Sequence, residues 1–419
     1  MAAKRARRAA GEGSISQRKD GMWVGTIDAP TTDGKRRQRK VYSRDYRECV
    51  RKLGELKKDV AAGVIVNRTT TVSAWLDRWL HEIHRDEIRP STRQSYEVVI
   101  RQINSTIGDK RLSSLTPEDV RGMIKELGNG RRRTQKSYVL LNAALKDAVR
   151  EGILTRNVCD AVHKPRLSAT PRDAFELDEA RAILSYAADN RDPMEAARWA
   201  AAFLTGLRQG EALALSWDRI DLDAAVADVE WQLQTLTRDH GCGDAGTDGA
   251  WPCGKVKAAY CTSPRWDVPP DFEMRELHRS LVLTRPKTHA GRRYIPLVAP
   301  MVAALRTLKE RDAGANPHNL VFHLPDGKPI APKKDWEAWQ QLMQDAGVAE
   351  EGETIPPHCA RHTTATIMRA AGVDEQTRME LLGHSSAVAQ RIYAHADVAR
   401  QREAMAALET LAPAVTAAP

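Results

Sequence analysis

Alternating apolar and polar positions near the start of the chain predict a small sheet. Met22-Trp23-Val24-Gly25-Thr26-Ile27 alternates, and Thr31-Thr32-Asp33-Gly34 supplies turn residues. The run Lys35-Arg36-Arg37-Gln38-Arg39-Lys40-Val41-Tyr42 is typical of a second, strongly basic strand. A helix is predicted over residues 45–61. The pattern indicates a small α+β domain over residues 1–65, with a three-stranded sheet and one helix.

A helical period follows and predicts an all-α domain over residues 70–165. Thr71-Val72-Ser73 opens an amphipathic helix, and Pro90-Ser91-Thr92 opens another. Thr116-Pro117-Glu118-Asp119 is a third helix start, with proline in the first turn and acids near the positive end of the dipole. A long helix is predicted over about 133–151. Four or five helices with short loops are typical of such a domain.

A larger mixed, mainly-α domain is predicted over residues 173–396, after a proline-containing linker at 163–172. An Ala/Leu-rich tail at 397–419 has helical spacing and could dock on a neighbour or on its own body. The predicted strands lie near 226–236, 279–284 and 292–297. The predicted helices lie near 177–189, 193–206, 209–216, 298–313, 333–346, 359–371, 375–382 and 386–395.

The positive charge of the chain is concentrated at its N-terminus. The net charge is +9, and residues 1–60 hold 17 of the 64 Lys and Arg but only 8 of the 55 Asp and Glu. The remaining residues are therefore neutral in sum. A concentrated basic segment fits a polyanion such as nucleic acid, although it could also be a solvated tail that aids solubility.

The composition is that of a water-soluble globular protein. Hydrophobic residues make up 42% and charged residues 28% of the chain. No apolar run approaches the roughly 18 residues of a membrane span, and the basic start lacks the apolar stretch of a signal peptide. We therefore expect a cytoplasmic protein that does not contact membranes.

A predicted helix start near residue 358 could bind an anion. Pro356-Pro357 cannot continue a preceding helix and would begin a new one at about His358. His358 and Arg361 would then share a face at the helix N-terminus, where backbone N–H groups and the dipole favour a phosphate. Taken alone, His-x-x-Arg is more typical of a surface pair.

Three more segments contain polar residues suited to phosphate chemistry. Arg208 precedes another predicted helix start, and Glu211 could orient its guanidinium or form a structural pair with it. Lys287 is predicted at the tip of a hairpin, where its ammonium could reach a leaving oxygen. His384 follows a Leu-Leu-Gly run, and Tyr393 lies in a polar neighbourhood unlike that of a core tyrosine. Together these side chains could transfer a phosphoryl group without a metal.

The ordered set of motifs resembles the tyrosine recombinase family, in particular phage-type integrases. Each motif is weak alone, whereas the ordered set is highly specific. The resemblance implies a multidomain fold: a small α+β N-terminal DNA-binding domain, an all-α core-binding domain and a mixed, mainly-α catalytic domain. Its motifs are Thr205 to Trp217, Pro286-Lys287-Thr288 with Ile295-Pro296-Leu297, His358-Cys359-Ala360-Arg361-His362, Leu381-Leu382-Gly383-His384 and Tyr393-Ala394-His395. Cys359-Ala360 departs from the more usual acidic and aliphatic pair.

The resemblance implies the chemistry of strand cleavage. Tyr393 would attack a scissile phosphate and form a 3′-phosphotyrosyl link, while Lys287 protonates the leaving 5′-oxygen. Because the phosphotyrosine keeps the bond energy, the reaction would need neither ATP nor a catalytic metal.

The same resemblance implies roles for the other motif residues. Arg208 and Arg361 would hold the non-bridging oxygens as charge builds. His358 would assist proton transfer at the tyrosine, and His384 would hydrogen-bond the phosphate.

The partners implied are double-stranded attachment sites of core and arm type, bound by four protomers through a Holliday junction. A directionality factor and a DNA-bending protein are candidate partners, at the nucleoid of a bacterial host. The basic strand suggests arm-DNA contacts through Arg36, Arg37, Arg39 and Lys40.

The leading prediction is a site-specific DNA recombinase, an integrase of a phage or other mobile element. One alternative is a type IB topoisomerase, which uses the same nucleophile to relax supercoils. Another is a non-catalytic DNA-binding regulator, which would leave the motif set a coincidence or a relic.

An insertion at about 237–278 separates two of the predicted strands and contains three of the six cysteines. His240, Cys242, Cys253 and Cys261 are a plausible tetrahedral set for a structural, never catalytic, zinc ion. The spacing lacks a Cys-x-x-Cys knuckle, so three free thiols in a mobile loop is the alternative.

Overall fold

The chain forms two compact units, Met1–Ala169 and Thr170–Pro419, in a computed structural model. The structure describes residues 13–29, 37–61, 69–128, 131–167, 174–286, 291–312, 314–383 and 398–414. Among these residues no helix has the length and apolar character needed to cross a membrane.

A small sheet and one helix begin the first unit. Antiparallel pairing gives the order β1-β2-β3. Gly25 allows close packing, because a Cβ there would lie 2.8 Å from Val41 Cγ2 and 3.1 Å from Leu53 Cβ. The sheet and helix thus share a small buried core. The elements are β1 (Ser14–Gln17), β2 (Trp23–Ala29), β3 (Arg37–Ser43) and α1 (Tyr46–Ala61).

The rest of the first unit is helical and has its own core. Thr116 and Asp119 form a reciprocal capping box at one helix start, as the Thr-Pro-Glu-Asp sequence suggested. Trp75 lies fully inside, and its indole Nε1 donates to Ala144 O at 3.0 Å. The α-helices are α2 (Val72–Arg78), α3 (Pro90–Ile107), α4 (Pro117–Leu127) and α5 (Arg132–Arg150). Shorter turns are a π-helix at Trp79–Ile83 and 3-10 helices at Leu112–Ser114 and Val158–Ala161.

The second unit packs its helices around a core with an aromatic centre. Trp199, Phe203 and Trp339 are buried there with neighbouring ring centroids 5.1 to 6.1 Å apart. The helices are α6 (Leu177–Asn190), α7 (Pro193–Leu204), α8 (Gln209–Leu213), α9 (Ala299–Arg311), α10 (Pro332–Asp345), α11 (His358–Ala370), α12 (Glu375–Leu382) and α13 (Val398–Ala406). In the described part of this unit, 3-10 helices lie at Trp217–Arg219, Ala258–Tyr260 and Ala407–Ala414.

Three small antiparallel sheets complete the second unit, in the orders β11-β5-β4, β6-β10-β9 and β7-β8. The insertion supplies β7, β8 and β9. The strands are β4 (Ile220–Asp221), β5 (Val226–Val229), β6 (Gln232–Thr235), β7 (Arg238–His240), β8 (Pro264–Trp266), β9 (Met274–His278), β10 (Leu281–Thr284) and β11 (Arg293–Pro296).

Two strand predictions were wrong in detail. The single strand expected over 226–236 is two strands in different sheets, divided where Glu230 pairs with Arg219 at 2.6 Å and Arg285 at 2.5 Å. The strands on either side of Lys287 do not form the predicted hairpin with each other. Instead β10 pairs with β6 and β11 pairs with β5.

The C-terminal tail packs on its own unit. Met405, Leu408 and Leu411 are buried in the main core of the second unit. Arg181 Nε and Nη2 donate to the carbonyl of Thr410 at 3.2 and 3.1 Å and hold the end of the tail against α6. Of the two docking modes considered for the tail, the structure therefore has the one on its own body.

Candidate active site

Three arginines converge on the C-terminal end of α12. The last carbonyls of a helix lack partners within it and carry the negative end of its dipole, so they attract cations. This arrangement joins motifs that are far apart in sequence. Arg293 Nε donates to Leu381 O at 2.7 Å, Arg361 Nη2 donates to Leu382 O, and Arg208 Nη2 donates to Gly383 O at 2.9 Å.

Glu211 binds two of these arginines from inside the protein. Its carboxylate accepts from Arg208 Nη1 at 2.8 Å and from the Arg208 backbone N–H at 3.0 Å, which forms the start of α8. Arg293 Nη2 and Nη1 donate to the same carboxylate at 2.9 and 3.3 Å. Burial opposes the charge, but attraction by Arg293 and Arg208 outweighs it and lowers the pKa of Glu211 to about 2. The carboxylate therefore stays ionised and holds both guanidinium groups.

Arg361 is a buried cation, and within the described part of the chain no carboxylate forms an ion pair with it. Its side chain is 2% exposed, and Nη1 donates to Gly206 O at 2.7 Å. Its Nε is buried and has no hydrogen-bond partner among the residues that the structure describes. Burial, with repulsion by Arg208 and Arg293, lowers the pKa of Arg361 to about 9. An anion bound nearby would relieve this electrostatic cost.

A glycine permits the close approach of the two arginine segments. Gly206 has a positive φ of 61°, and a Cβ there would lie 2.6 Å from Leu382 Cδ2. Its carbonyl can therefore reach Arg361 while the chain turns toward Arg208.

His358 begins α11, as the preceding prolines predicted, and its side chain is exposed. Its ring meets the edge of His362 with centroids 4.6 Å apart. Cys359 and Ala360 point away from this surface into the main core. The structure thus separates an exposed histidine from buried Arg361 on the same helix.

Three predicted site residues, Lys287, His384 and Tyr393, lie outside the described residues, as does the helix predicted at 386–395. Their places along the chain are still informative. Lys287 follows β10 by three residues, and His384 follows Gly383, whose carbonyl binds Arg208.

Sequence reasoning missed Arg293 as a site residue. It is 6% exposed at the side chain and shares Glu211 with Arg208. The available signal was the alternation in β11, where Arg293 falls on the same side as buried Ile295. A charged residue on the buried side of a strand indicates a buried partner.

Two of the residues predicted to contact arm DNA, Arg39 and Lys40, alternate along β3. Lys40 is exposed on β3, whereas Arg39 is partly buried on the side of the strand that also holds buried Val41. Arg37 begins β3, and Arg36 lies outside the described residues.

The four residues of the predicted zinc set do come together. The ligand atoms of His240, Cys242, Cys253 and Cys261 all lie within 4.8 Å of one another.

Comparison with protein families matches two parts of the chain. Residues 271–400 match the phage integrase family, and residues 71–128 match the N-terminal SAM-like domain of phage integrases. The first match spans β11, α11 and α12, which form most of the arginine site.

Two relatives match over nearly their full lengths. An integrase from Saccharopolyspora erythraea is 28% identical, over 94% of this chain and 95% of that protein. A XerC-like tyrosine recombinase from Caldanaerobacter subterraneus subsp. tengcongensis is 25% identical, over 90% of this chain and 93% of that protein.

Solved structures share the fold. The Tn1549 transposon integrase in complex with circular intermediate DNA has a TM-score of 0.59 at 20% identity, over 81% of this chain and 99% of that one. A lambda integrase tetramer bound to a Holliday junction has a TM-score of 0.53 at 17% identity, over 92% of this chain and 98% of that one. Over nearly its whole length the chain is similar to tyrosine recombinases, in particular phage integrases, and these relatives support site-specific DNA recombination. The family and fold class predicted from sequence are confirmed, and the topoisomerase and regulator alternatives are not favoured.

Proposed function

We propose that this recombinase cuts and rejoins DNA through a 3′-phosphotyrosine on Tyr393. The tyrosine oxygen would attack phosphorus, and the bond from phosphorus to the 5′-oxygen would break. His358 would help remove the tyrosine proton, and Lys287 would give a proton to the leaving 5′-oxygen. A 5′-hydroxyl from a partner strand would reverse these steps and join two DNAs.

The arginine site would supply the electrostatic stabilisation. Arg208 is 37% exposed at its side chain and already held by Glu211, so its remaining N–H groups could meet a phosphate without reordering. Arg361 is buried and has no ion-pair partner among the residues that the structure describes, which favours a bound anion. His384 would add a hydrogen bond to the same phosphate.

The convergence of three arginines on α12 is the observation that supports this proposal most strongly. It brings the two arginine motifs to the neighbouring carbonyls of Leu382 and Gly383, and Tyr393 follows Gly383 by only ten residues in sequence. A cation cluster next to the nucleophile's segment suits a transition state with growing negative charge.

The N-terminal domain and the rest of the chain would act on different parts of the DNA. We propose that residues 1–65 bind arm sites, that residues 70–165 and the catalytic domain (173–396, followed by the tail 397–419) bind the core site, and that four protomers act on a Holliday junction. The lambda integrase tetramer on such a junction supports this assembly. A directionality factor and a DNA-bending protein would assist at the nucleoid in the bacterial cytoplasm.

The strand transfer itself would need no cofactor, because the phosphotyrosine keeps the energy of the broken bond. A zinc ion held by the His–Cys cluster of the insertion would be structural, and the clustering of its four ligand atoms supports it.

A nicked DNA that traps the covalent intermediate tests the proposal. Wild-type protein should form an adduct on a denaturing gel without metal or nucleotide, whereas Tyr393→Phe should bind the DNA and form none. An adduct with Tyr393→Phe would remove this residue from its role. Binding by wild type without an adduct, on a verified site, would indicate a protein that only binds DNA.

A further inference from the structure

We infer that the insertion is a zinc-centred module that positions the strand leading to Lys287. The inference has two steps: a closed Cys3His metal site, and a set of contacts from that site to β10. The second step rests on the proposed role of Lys287 as the proton donor.

The cluster has the chemistry of a structural zinc site. Three thiols and one imidazole are a standard closed set, and bond lengths of about 2.3 Å to sulfur imply sulfur atoms about 3.8 Å apart. The structure places all four ligand atoms within 4.8 Å of one another, with His240 Nδ1 3.3 Å from Cys253 Sγ and 4.0 Å from Cys242 Sγ. None of these three cysteines is in a disulfide.

Outer contacts hold the ligands in place, as second-layer groups do around bound metals. Trp251 stacks on the His240 ring with centroids 4.2 Å apart and an angle of 6° between planes. The Ser263 N–H donates to Cys261 Sγ at 3.4 Å, a bond that suits a thiolate. Gly241 N–H donates to Ser263 O at 2.9 Å, and a Cβ on that glycine would lie 2.4 Å from the same oxygen.

The insertion has no hydrophobic core of its own. The structure describes all of residues 237–278, and in that stretch only His240 and Cys261 are buried. Both belong to the cluster. A module of this size without an apolar core needs another source of stability, and a metal site can supply it.

Side-chain contacts connect this module to β9. Arg238 on β7 pairs with Glu276 on β9 at 3.1 Å, and its guanidinium lies 4.0 Å from the ring centroid of Trp266 on β8. Trp266 Nε1 donates to the same Glu276 at 2.5 Å. The two strands that flank the cluster are therefore tied to one residue of β9.

β9 in turn fixes the strand that leads to Lys287. β10 lies between β6 and β9 and ends at Thr284. Arg285, the next residue, pairs with Glu273 of the insertion at 2.8 Å and lies 3.8 Å from the ring centroid of Trp231. Lys287 is two residues further on, so movement of the insertion would change where its ammonium can reach.

Zinc content tests the first step. Purified full-length protein should contain about one equivalent of zinc, Cys253→Ser less than a tenth, and the control Val256→Ser about one. Val256 lies between two ligands and is 94% exposed, so its replacement should leave the site intact. Wild type with under a tenth of an equivalent would overturn the inference.

Cleavage of two DNAs tests the second step. In one DNA the scissile 5′-bridging oxygen is replaced by sulfur, which leaves without a proton donor. Cys253→Ser should cleave the oxygen DNA at least roughly tenfold more slowly than wild type and the sulfur DNA at a similar rate. Equal slowing on both DNAs, or no slowing, would overturn the positioning role.

Two controls separate the possible failures. Lys287→Ala should show a larger loss on the oxygen DNA, on the order of 10²-fold, and recovery with sulfur. Lack of recovery there would contradict the proposed function itself. If Cys253→Ser does not fold, wild type treated with EDTA and then resupplied with ZnCl₂ should show the same oxygen-specific loss and its reversal. A chelated protein that cleaves both DNAs normally would overturn the inference.

Discussion

Replacing Glu211 with glutamine keeps the shape of the side chain and removes its charge. The wild-type carboxylate is 2% exposed and binds Arg208 and Arg293 with distances of 2.8 to 3.3 Å. The glutamine amide can accept through one oxygen only, and its NH₂ group would face a guanidinium. Both arginines would keep their charge, and Arg293 would be buried without a counter-charge.

The size of the effect follows from the pKa. The pKa of Glu211 falls from an ordinary 4.5 to about 2 on folding. At 1.36 kcal/mol per unit, this corresponds to about 3 kcal/mol of stability at neutral pH. Removing one partner of a buried ion pair typically costs about 3–5 kcal/mol of stability, which agrees with the value from the pKa. Because the folded pKa is lowered, this stability is present above about pH 4.5 and is lost as the pH falls toward 2.

Hydrogen exchange of the α8 and α11 amides measures this effect within the full chain. Glu211→Gln should exchange there on the order of 10²-fold faster than wild type at pH 7, and the difference should shrink as the pH falls below about 4. Glu337→Gln is the control, because that residue pairs with Lys333 at 3.5 Å on the surface and should change stability by less than about 0.5 kcal/mol. A Glu211→Gln protein within about 1 kcal/mol of wild type would refute the electrostatic account of the site.

Two further predictions concern the glycine between the arginine segments and the basic N-terminus. Gly206→Ala should destabilise the second unit by about 1–2 kcal/mol in urea unfolding, because φ is positive there and Leu382 Cδ2 would lie 2.6 Å from the new Cβ. The control Gly54→Ala lies on an open helix surface and should not destabilise the protein. Equal effects of the two substitutions would contradict the packing argument. Deleting residues 1–65 should weaken DNA binding and flatten its salt dependence, whereas an unchanged salt slope would show that this segment does not touch phosphates.

Local sequence signals predicted the helices well. Thr116-Pro117 and Pro90 mark helix starts through capping and a fixed φ, and the structure begins helices at Pro117 and Pro90. Pro356-Pro357 likewise preceded the helix that begins at His358. These signals act within one turn of chain, so a single sequence contains them in full.

Strand partners could not be predicted in the same way. Alternation indicates a strand but does not say which other strand it pairs with, and so β10 and β11 were wrongly placed in one hairpin. Arg293 was missed for a related reason, since its partner Glu211 is 82 residues away. The zinc set was visible as residue types, but only the folded chain brings Cys242 and Cys261 together.

Mapping the covalent bond in the trapped DNA adduct tests the central claim most directly. The adduct should be digested with protease and nuclease, and the nucleotide-bearing peptide sequenced by mass spectrometry. The account predicts a peptide modified at Tyr393, joined to the 3′ end of the cut strand and leaving a free 5′-hydroxyl. A bond to another residue, or to a 5′-phosphate, would contradict it.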